Sequence, residues 1–131
     1  MSLILVRGLP GSGKSTIAKA LIGFYWHIET DMFWVNDQGD YEFDAKRLGE
    51  AHEWCRMKTI DTMTKGFSVV VSNTFTTKKE LQPYFDLAKE FNCVPQVILA
   101  QGQYDNIHSV PEEVITKMRD RFEYDIRDLY V

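Results

Sequence analysis

Eight consecutive residues near the N-terminus, Gly8-Leu9-Pro10-Gly11-Ser12-Gly13-Lys14-Ser15, fill every position of the spacing G-x-x-x-x-G-K-[ST], and Thr16 follows. Leu3-Ile4-Leu5-Val6 ahead of them is an apolar run of the length of a buried strand. Thr16 to Ile22 behind them reads as a helix with Ile17, Leu21 and Ile22 on one face. Strand, glycine loop and helix in that order restrict the chain to one local geometry. The glycines let consecutive backbone N–H groups turn inward into a nest at a helix start, where partial positive charge favours phosphate. Gly8, Pro10, Gly11, Ser12, Gly13, Lys14, Ser15 and Thr16 are therefore expected to hold the phosphates of ATP. Lys14 would reach the β- and γ-phosphates, and the Ser15 hydroxyl would hold Mg²⁺. The plainer reading, a turn that merely joins strand to helix, does not account for a consensus filled in full.

Length and charge limit what surrounds that loop. The chain has 131 residues, a size expected to form one domain, 1–131, with one real core. Hydrophobic residues at 44% and charged residues at 26% exclude wholesale disorder. A formal charge of −4 argues against broad, non-specific binding to nucleic acid or membrane surfaces, while leaving room for a local basic groove. No apolar run approaches the roughly 20 residues that span a bilayer. Met1-Ser2 leads directly into the first strand without the basic and apolar regions of a signal peptide. Cys55 and Cys93 lack metal-type spacing and are read as reduced residues of a cytoplasmic protein.

The remainder alternates strands with helices. Tyr25 to Glu29 is a second strand ending at Thr30-Asp31, and Asp37-Gln38-Gly39-Asp40 is a turn. Asp44 is placed to cap a helix over residues 45–65, stopped by Gly66, with Leu48, Ala51, Cys55 and Thr62 on its inner stripe. Phe67 to Val71 is a third strand. Thr77-Lys78-Lys79-Glu80 is a capping box opening a helix toward Asn92, which Pro83 is expected to kink or delay. Gln96 to Ala100 is a fourth strand. Ser109-Val110-Pro111-Glu112 starts a last helix, with Val114, Ile115, Met118, Phe122, Ile126 and Leu129 at helical spacing. This β-α alternation predicts an α/β fold of P-loop NTPase type: a small parallel sheet of about four strands with helices on both faces.

Ligands on such sheets bind at the C-terminal strand ends. Asp31 falls there, just past strand two, on the same edge as the glycine loop. A carboxylate at that position can take the proton of an attacking hydroxyl; equally, Asp is a preferred helix N-cap. Strand three ends differently from many phosphate-loop proteins, which place there an Asp that helps to hold Mg²⁺. Here Val69-Val70-Val71 runs into Ser72-Asn73-Thr74, so Mg²⁺ would rely on Ser15, the phosphates and water, with Asp31 in an outer position.

Arg7 to Ser15, Thr30-Asp31, Asp40-Tyr41-Glu42-Phe43, Glu50-Ala51-His52-Glu53-Trp54, Ser72-Asn73-Thr74, Asn106-Ile107-His108 and Arg121-Phe122-Glu123 occur in that order. Together they resemble the P-loop kinase domain shared by phage polynucleotide 5′-kinase and the Nedd4-binding-protein-type ATPases, over nearly the whole chain. The resemblance implies a kinase-like fold and gives Asp31 the role of the base that activates a 5′-hydroxyl.

Three positions depart from the family pattern. Trp34 stands where polynucleotide kinases carry a phosphate-gripping arginine; it is read either as a base-stacking platform or as core. The lid arginines are missing, with Tyr104 and Asp105 in that region, and Phe75 stands where an Asn is expected. Arg119 and Arg121 are candidates for the missing lid charge or belong to a solvated mixed-charge face, and Lys78-Lys79 reads as surface. Arg7 either underlies the nucleotide or pairs with an acid. His52 reads as packed, and His108 alone of the histidines has a catalytic claim. Two expectations result. One is a kinase moving the ATP γ-phosphate to a hydroxyl, with a polynucleotide or nucleoside 5′-OH as acceptor. The other is a degenerate nucleotide-binding regulatory or interaction module.

Overall fold

The computed structural model describes residues 1–104 and 110–131. Four strands, β1 (Leu3–Arg7), β2 (Trp26–Ile28), β3 (Val69–Asn73) and β4 (Gln96–Leu99), form one all-parallel sheet in the order β2-β3-β1-β4. Among the described residues four helices accompany them: α1 (Lys14–Lys19), α2 (Leu48–Thr64), α3 (Lys78–Glu90) and α4 (Glu112–Arg121). No helix among the described residues is long and apolar enough to cross a membrane.

The sheet is apolar on both faces, and the two-residue period of a strand sorts its side chains between two cores. Leu3, Leu5, Ile28, Val69 and Val71 pack with Cys55 and Met63 of α2 and with Leu81, Tyr84, Phe85 and Leu87 of α3. Ile4, Val6 and Val70 pack on the other face with Ala18 of α1 and Ala100, joined by the half-buried Ile17 and Leu21. The chain leaves β1 toward β2 through α1 on one face. It leaves β3 toward β4 through α3 on the other. The carboxyl ends of β1 and β3 therefore flank the switch point, where such sheets open a crevice.

Local chemistry sets most element ends. The Asp44 carboxylate accepts from Lys46 N–H and caps a 3-10 turn over Ala45–Arg47 that leads into α2, and Gly66 at φ 88° ends it. The inner stripe of α2 is Ala51, Cys55, Thr59, Thr62 and Met63. Leu48 lies outside it, 40% exposed, because it sits at the helix entry. Similarly, α1 ends at Lys19 and Ile22 faces solvent beyond it, followed by Gly23 at φ 115°. The reciprocal capping box of Thr77 and Glu80 starts α3 on time, with Pro83 inside the helix. Pro83 is exposed, so water can serve the carbonyl its missing N–H leaves.

The last helix is shorter than its periodicity suggests. Residues 122–126 leave the helix, and a 3-10 turn over Arg127–Tyr130 follows. Two distant contacts end α4. Glu123 N–H donates to Thr76 O at 2.8 Å, and the Phe122 ring lies under the Arg7 guanidinium at 4.3 Å. Ile126 and Leu129 still reach the core, from the irregular stretch after the helix and from the turn. The helix start expected at Ser109 lies outside the described residues, as do Asp105, Asn106, Ile107 and His108.

Candidate functional site: a phosphate cradle at the carboxyl edge of the sheet

The loop between β1 and α1 is held from outside and left open inside. Gly8 N–H donates to Thr74 O, Ala100 N–H to Arg7 O, Gly102 N–H to Ser12 O and Tyr104 N–H to Gly11 O. These bonds fasten the loop to the segments that follow β3 and β4. A Cβ on Gly8 would run into Ser12 Oγ and sit 2.8 Å from Ala100 O, so only glycine allows this approach. Gly13 at φ 90° turns the chain into α1 in a conformation that glycine adopts without penalty.

Among the described residues the N–H groups of Gly11, Gly13, Lys14, Ser15 and Thr16 donate to no protein acceptor. Ser12 Oγ is buried with no hydrogen-bond partner. Buried polar groups are normally paired, so the orphan Ser12 hydroxyl beside five free N–H donors of less buried residues suits an anionic ligand rich in acceptors. Because α1 has only six residues, the cradle depends on these individual N–H groups more than on a helix dipole.

Lys14 Nζ curls back toward Leu9 O at 3.5 Å. Burial pushes its pKa down, against the opposing pull of the Glu29 and Asp31 carboxylates. Both acids thus lie within electrostatic reach of the loop lysine. Asp31 lies in a 3-10 turn, Thr30–Trp34, that begins just past β2. Asn73 at the end of β3 anchors this turn by accepting from Thr30 N–H at 2.9 Å, and His52 of α2 reaches Thr30 Oγ1 at 3.4 Å while itself exposed. Asp31 is the second residue of that turn, whose N-cap position is Glu29. Asp31 Oδ1 accepts from the Tyr41 hydroxyl at 3.2 Å. Burial and the Asp31 charge push that phenol up to about 12.

A carboxylate from the neighbouring strand β2 reaches the end of β3. Register pairs His27 with Val70 and Ile28 with Val71, which brings Glu29 beside Ser72 on the α1 face. Glu29 Oε2 accepts from Ser15 Oγ at 2.8 Å and Ser72 Oγ at 2.9 Å, and His27 Nε2 lies 3.5 Å away. Ser72 gives its single proton to Glu29, so the 2.7 Å contact between His27 Nε2 and Ser72 Oγ is a donation from histidine. Burial would raise the Glu29 pKa; the hydrogen bonds from His27, Ser15 and Ser72, with the His27 charge, win and hold it at about 2. Sequence reading passed over Glu29 as a strand end, although His27-x-Glu29 alternation onto one face was available as a signal. No three His, Cys, Asp or Glu side chains among the described residues gather as a metal cage. A hard cation here would need phosphate oxygens and water beside Ser15, as Mg²⁺ ordinarily does.

Several expected participants lie elsewhere. Trp34 is 3% exposed, edge-on to Phe33 and Phe43, so it is core and offers no stacking face. Arg7 is buried and forms no ion pair with an acid among the described residues. It donates through Nε and Nη2 to Phe75 O, at 3.0 and 2.7 Å, and so secures the turn in which Phe75 takes φ 45°. Arg121 donates to Thr76 Oγ1 at 3.0 Å, and Lys78 pairs with Asp128 at 3.0 Å. Arg119 faces a cleft of about 640 Å³ between the outer wall of the loop, the chain beyond β4, and α4.

A parallel sheet whose first strand feeds a complete phosphate loop, with acids after the strand two places away at the same carboxyl edge, defines a kinase-like P-loop NTPase. A family model described as an AAA domain matches residues 3–124, and the chain belongs to that family. Human NEDD4-binding protein 2 is 33% identical over 140 aligned positions, covering 92% of this chain and 8% of that protein. A putative kinase from Chloroflexus aurantiacus superposes with a TM-score of 0.63 at 23% identity, covering 76% of this chain and 58% of that one. A chain of the Pnkp1/Rnl/Hen1 complex superposes with a TM-score of 0.56 at 21% identity, covering 88% and 38%. At these identities the superpositions establish the shared fold. The chain spans only a small part of its human relative and just over half of the first of these structures.

Proposed function

We propose that this chain is an ATP-dependent kinase that moves the γ-phosphoryl group to a hydroxyl, with a polynucleotide or nucleoside 5′-hydroxyl as the acceptor. One observation carries the reading: five N–H groups that donate to no acceptor among the described residues lie at the same sheet edge as Lys14, with Glu29 and Asp31 within its electrostatic reach. Gly8, Pro10, Gly11, Ser12, Gly13, Lys14, Ser15 and Thr16 hold the triphosphate, and the cleft beside Arg119 takes the nucleoside end. Asp31 accepts the acceptor's hydroxyl proton as its oxygen bonds to the γ-phosphorus. The bond from that phosphorus to the β-bridging oxygen breaks, and ADP leaves. Lys14 offsets charge developing on the transferred group. Ser15 is the protein's ligand for Mg²⁺, which when bound neutralises phosphate charge. The acceptor class follows the resemblance to polynucleotide 5′-kinases and is supported by the fold shared with the Pnkp1-complex chain. A cytoplasmic setting is supported by ATP use and by two free cysteines.

The burial of Trp34 favours a second reading, a nucleotide-binding module without useful transfer, since that position offers an acceptor neither a cation nor a ring face. Labelled ATP offered with 5′-hydroxyl DNA, 5′-hydroxyl RNA, nucleosides and small alcohols separates the two. In the kinase reading Asp31→Asn loses about 10²–10⁴ in transfer rate, because an amide cannot take the proton. It keeps ATP affinity within a few-fold. Transfer to none of these acceptors by the unaltered chain, with ATP still bound, selects the module. Undiminished transfer by Asp31→Asn removes Asp31 from the role of base.

A further inference from the structure

We propose that Glu29, reaching across from β2, is the carboxylate that completes the divalent-cation site at Ser15, in place of an acid at the end of β3. The inference rests on the nucleotide reading above and assigns a residue within it.

Position comes first. The end of β3 lies directly beside the phosphate loop, as the pairing of Val6 with Ser72 and Arg7 with Asn73 shows. Ser72, the penultimate residue of β3 and the one on the α1 face, is 1% exposed and carries no charge. A carboxylate one strand further out reaches the same point only if it shares the face of Ser72. The register gives Glu29 that face, and the 2.9 Å bond between the two side chains confirms the reach.

Hydrogen-bond direction comes second. Ser15 donates its only proton to Glu29, so Ser15 Oγ has lone pairs alone to offer elsewhere, as a metal-ligating hydroxyl requires. All three contacts to Glu29 fall on Oε2. Oε1 accepts from no described residue and is not among the buried unpartnered atoms, which leaves it for a cation or its bound water. Ser72 and His27 fix the carboxylate from behind, much as outer partners orient metal ligands.

Charge comes third. The Glu29 side chain is only 16% exposed, yet its closest basic neighbour is the His27 ring at 3.5 Å and it forms no ion pair with Lys14 among the described residues. Glu29 and Asp31 both act on Lys14 electrostatically, so this edge carries negative charge that a divalent cation can offset. A purely structural tie between β2, β3 and α1 is the competing account, and it predicts a loss of stability with no change in metal dependence.

The test is calorimetric titration of ATP into the chain with Mg²⁺ and, separately, with chelator, for wild type and Glu29→Gln. A manganese titration followed by electron spin resonance in the presence of ADP serves as a metal-specific readout. We expect Glu29→Gln to keep metal-free ATP affinity within a few-fold while losing about 10–100-fold in affinity for the metal. Returning the acid to β3 in the double variant Glu29→Gln/Ser72→Asp is expected to recover metal binding, and it decides the matter should the single variant fold poorly. A Glu29→Gln protein with unchanged Mn²⁺ affinity overturns the assignment while leaving the nucleotide reading standing. A folded double variant that binds ATP but recovers no metal affinity also counts against it. Wild type that binds ATP under neither condition overturns the nucleotide reading, and this inference with it.

Discussion

Donors from Ser15, Ser72 and His27 crowd one oxygen of Glu29 in a setting largely closed to solvent, and that crowding decides how the carboxyl titrates. Its pKa falls from an ordinary 4.5 to about 2. A carboxyl lowered on folding adds stability above its unfolded value, and the contribution disappears as pH falls through the folded value. The ligand-free chain should therefore lose stability between about pH 5 and pH 2, with Glu29 responsible for up to roughly 3 kcal/mol. Urea unfolding at pH 6 and pH 3 should give a smaller difference for Glu29→Gln than for wild type; equal differences would mean that the bonds to Glu29 do not persist in solution. The cradle was legible in the sequence because its residues are consecutive and each position has its own chemical task. Glu29 was not, because its role depends on the register of β2 against β3 and on where α1 places Ser15. Trp34 illustrates the reverse case: its residue type suited stacking, and only the packing of Phe33 and Phe43 around it shows that it is core.

Helix α3 begins where its local chemistry says it should. The Thr77 side chain accepts from Glu80 N–H at 3.3 Å, and Glu80 returns the bond by accepting from Thr77 N–H at 2.9 Å. Thr77→Ala should cost about 1 kcal/mol, the usual loss for a threonine cap, and leave ATP affinity unchanged, since α3 packs on the face opposite α1. Chemical denaturation reads the first part and a nucleotide titration the second; weaker ATP binding would mean that the Thr76–Thr77 junction transmits to the loop. Capping boxes are local in sequence and so were readable. The end of α4 was not. Phe122, Ile126 and Leu129 keep helical spacing, yet Arg7 and Thr76 draw the chain out of the helix at Phe122. Periodicity reports which side chains are buried, and here burial of the same residues is reached through an irregular stretch and a 3-10 turn instead.

At the scale of the whole molecule the alternation of strands and helices announced a parallel sheet, but the order β2-β3-β1-β4 depends on pairings between residues far apart in sequence. That order places the loop from β1, the acids after β2 and Asn73 of β3 on one edge, so binding there should steady elements drawn from across the fold. Ligand that binds only the folded state at about 100 times its dissociation constant stabilises by roughly 2.7 kcal/mol. ATP with Mg²⁺ should raise the melting temperature accordingly, and Lys14→Ala should lose most of that rise. Without ligand the same substitution should move stability the other way or leave it level. Burial pushes the Lys14 pKa down, so the folded chain disfavours its charged form, and its one hydrogen bond among the described residues, to Leu9 O, is long at 3.5 Å. A functional site can hold a residue at a cost to stability, and Lys14 fits that description. Melting curves of both proteins with and without nucleotide test the pair of effects together. A Lys14→Ala protein that is markedly less stable when free of ligand, or equally stabilised by ATP, would make Lys14 a structural residue of the loop and remove it from the phosphate site.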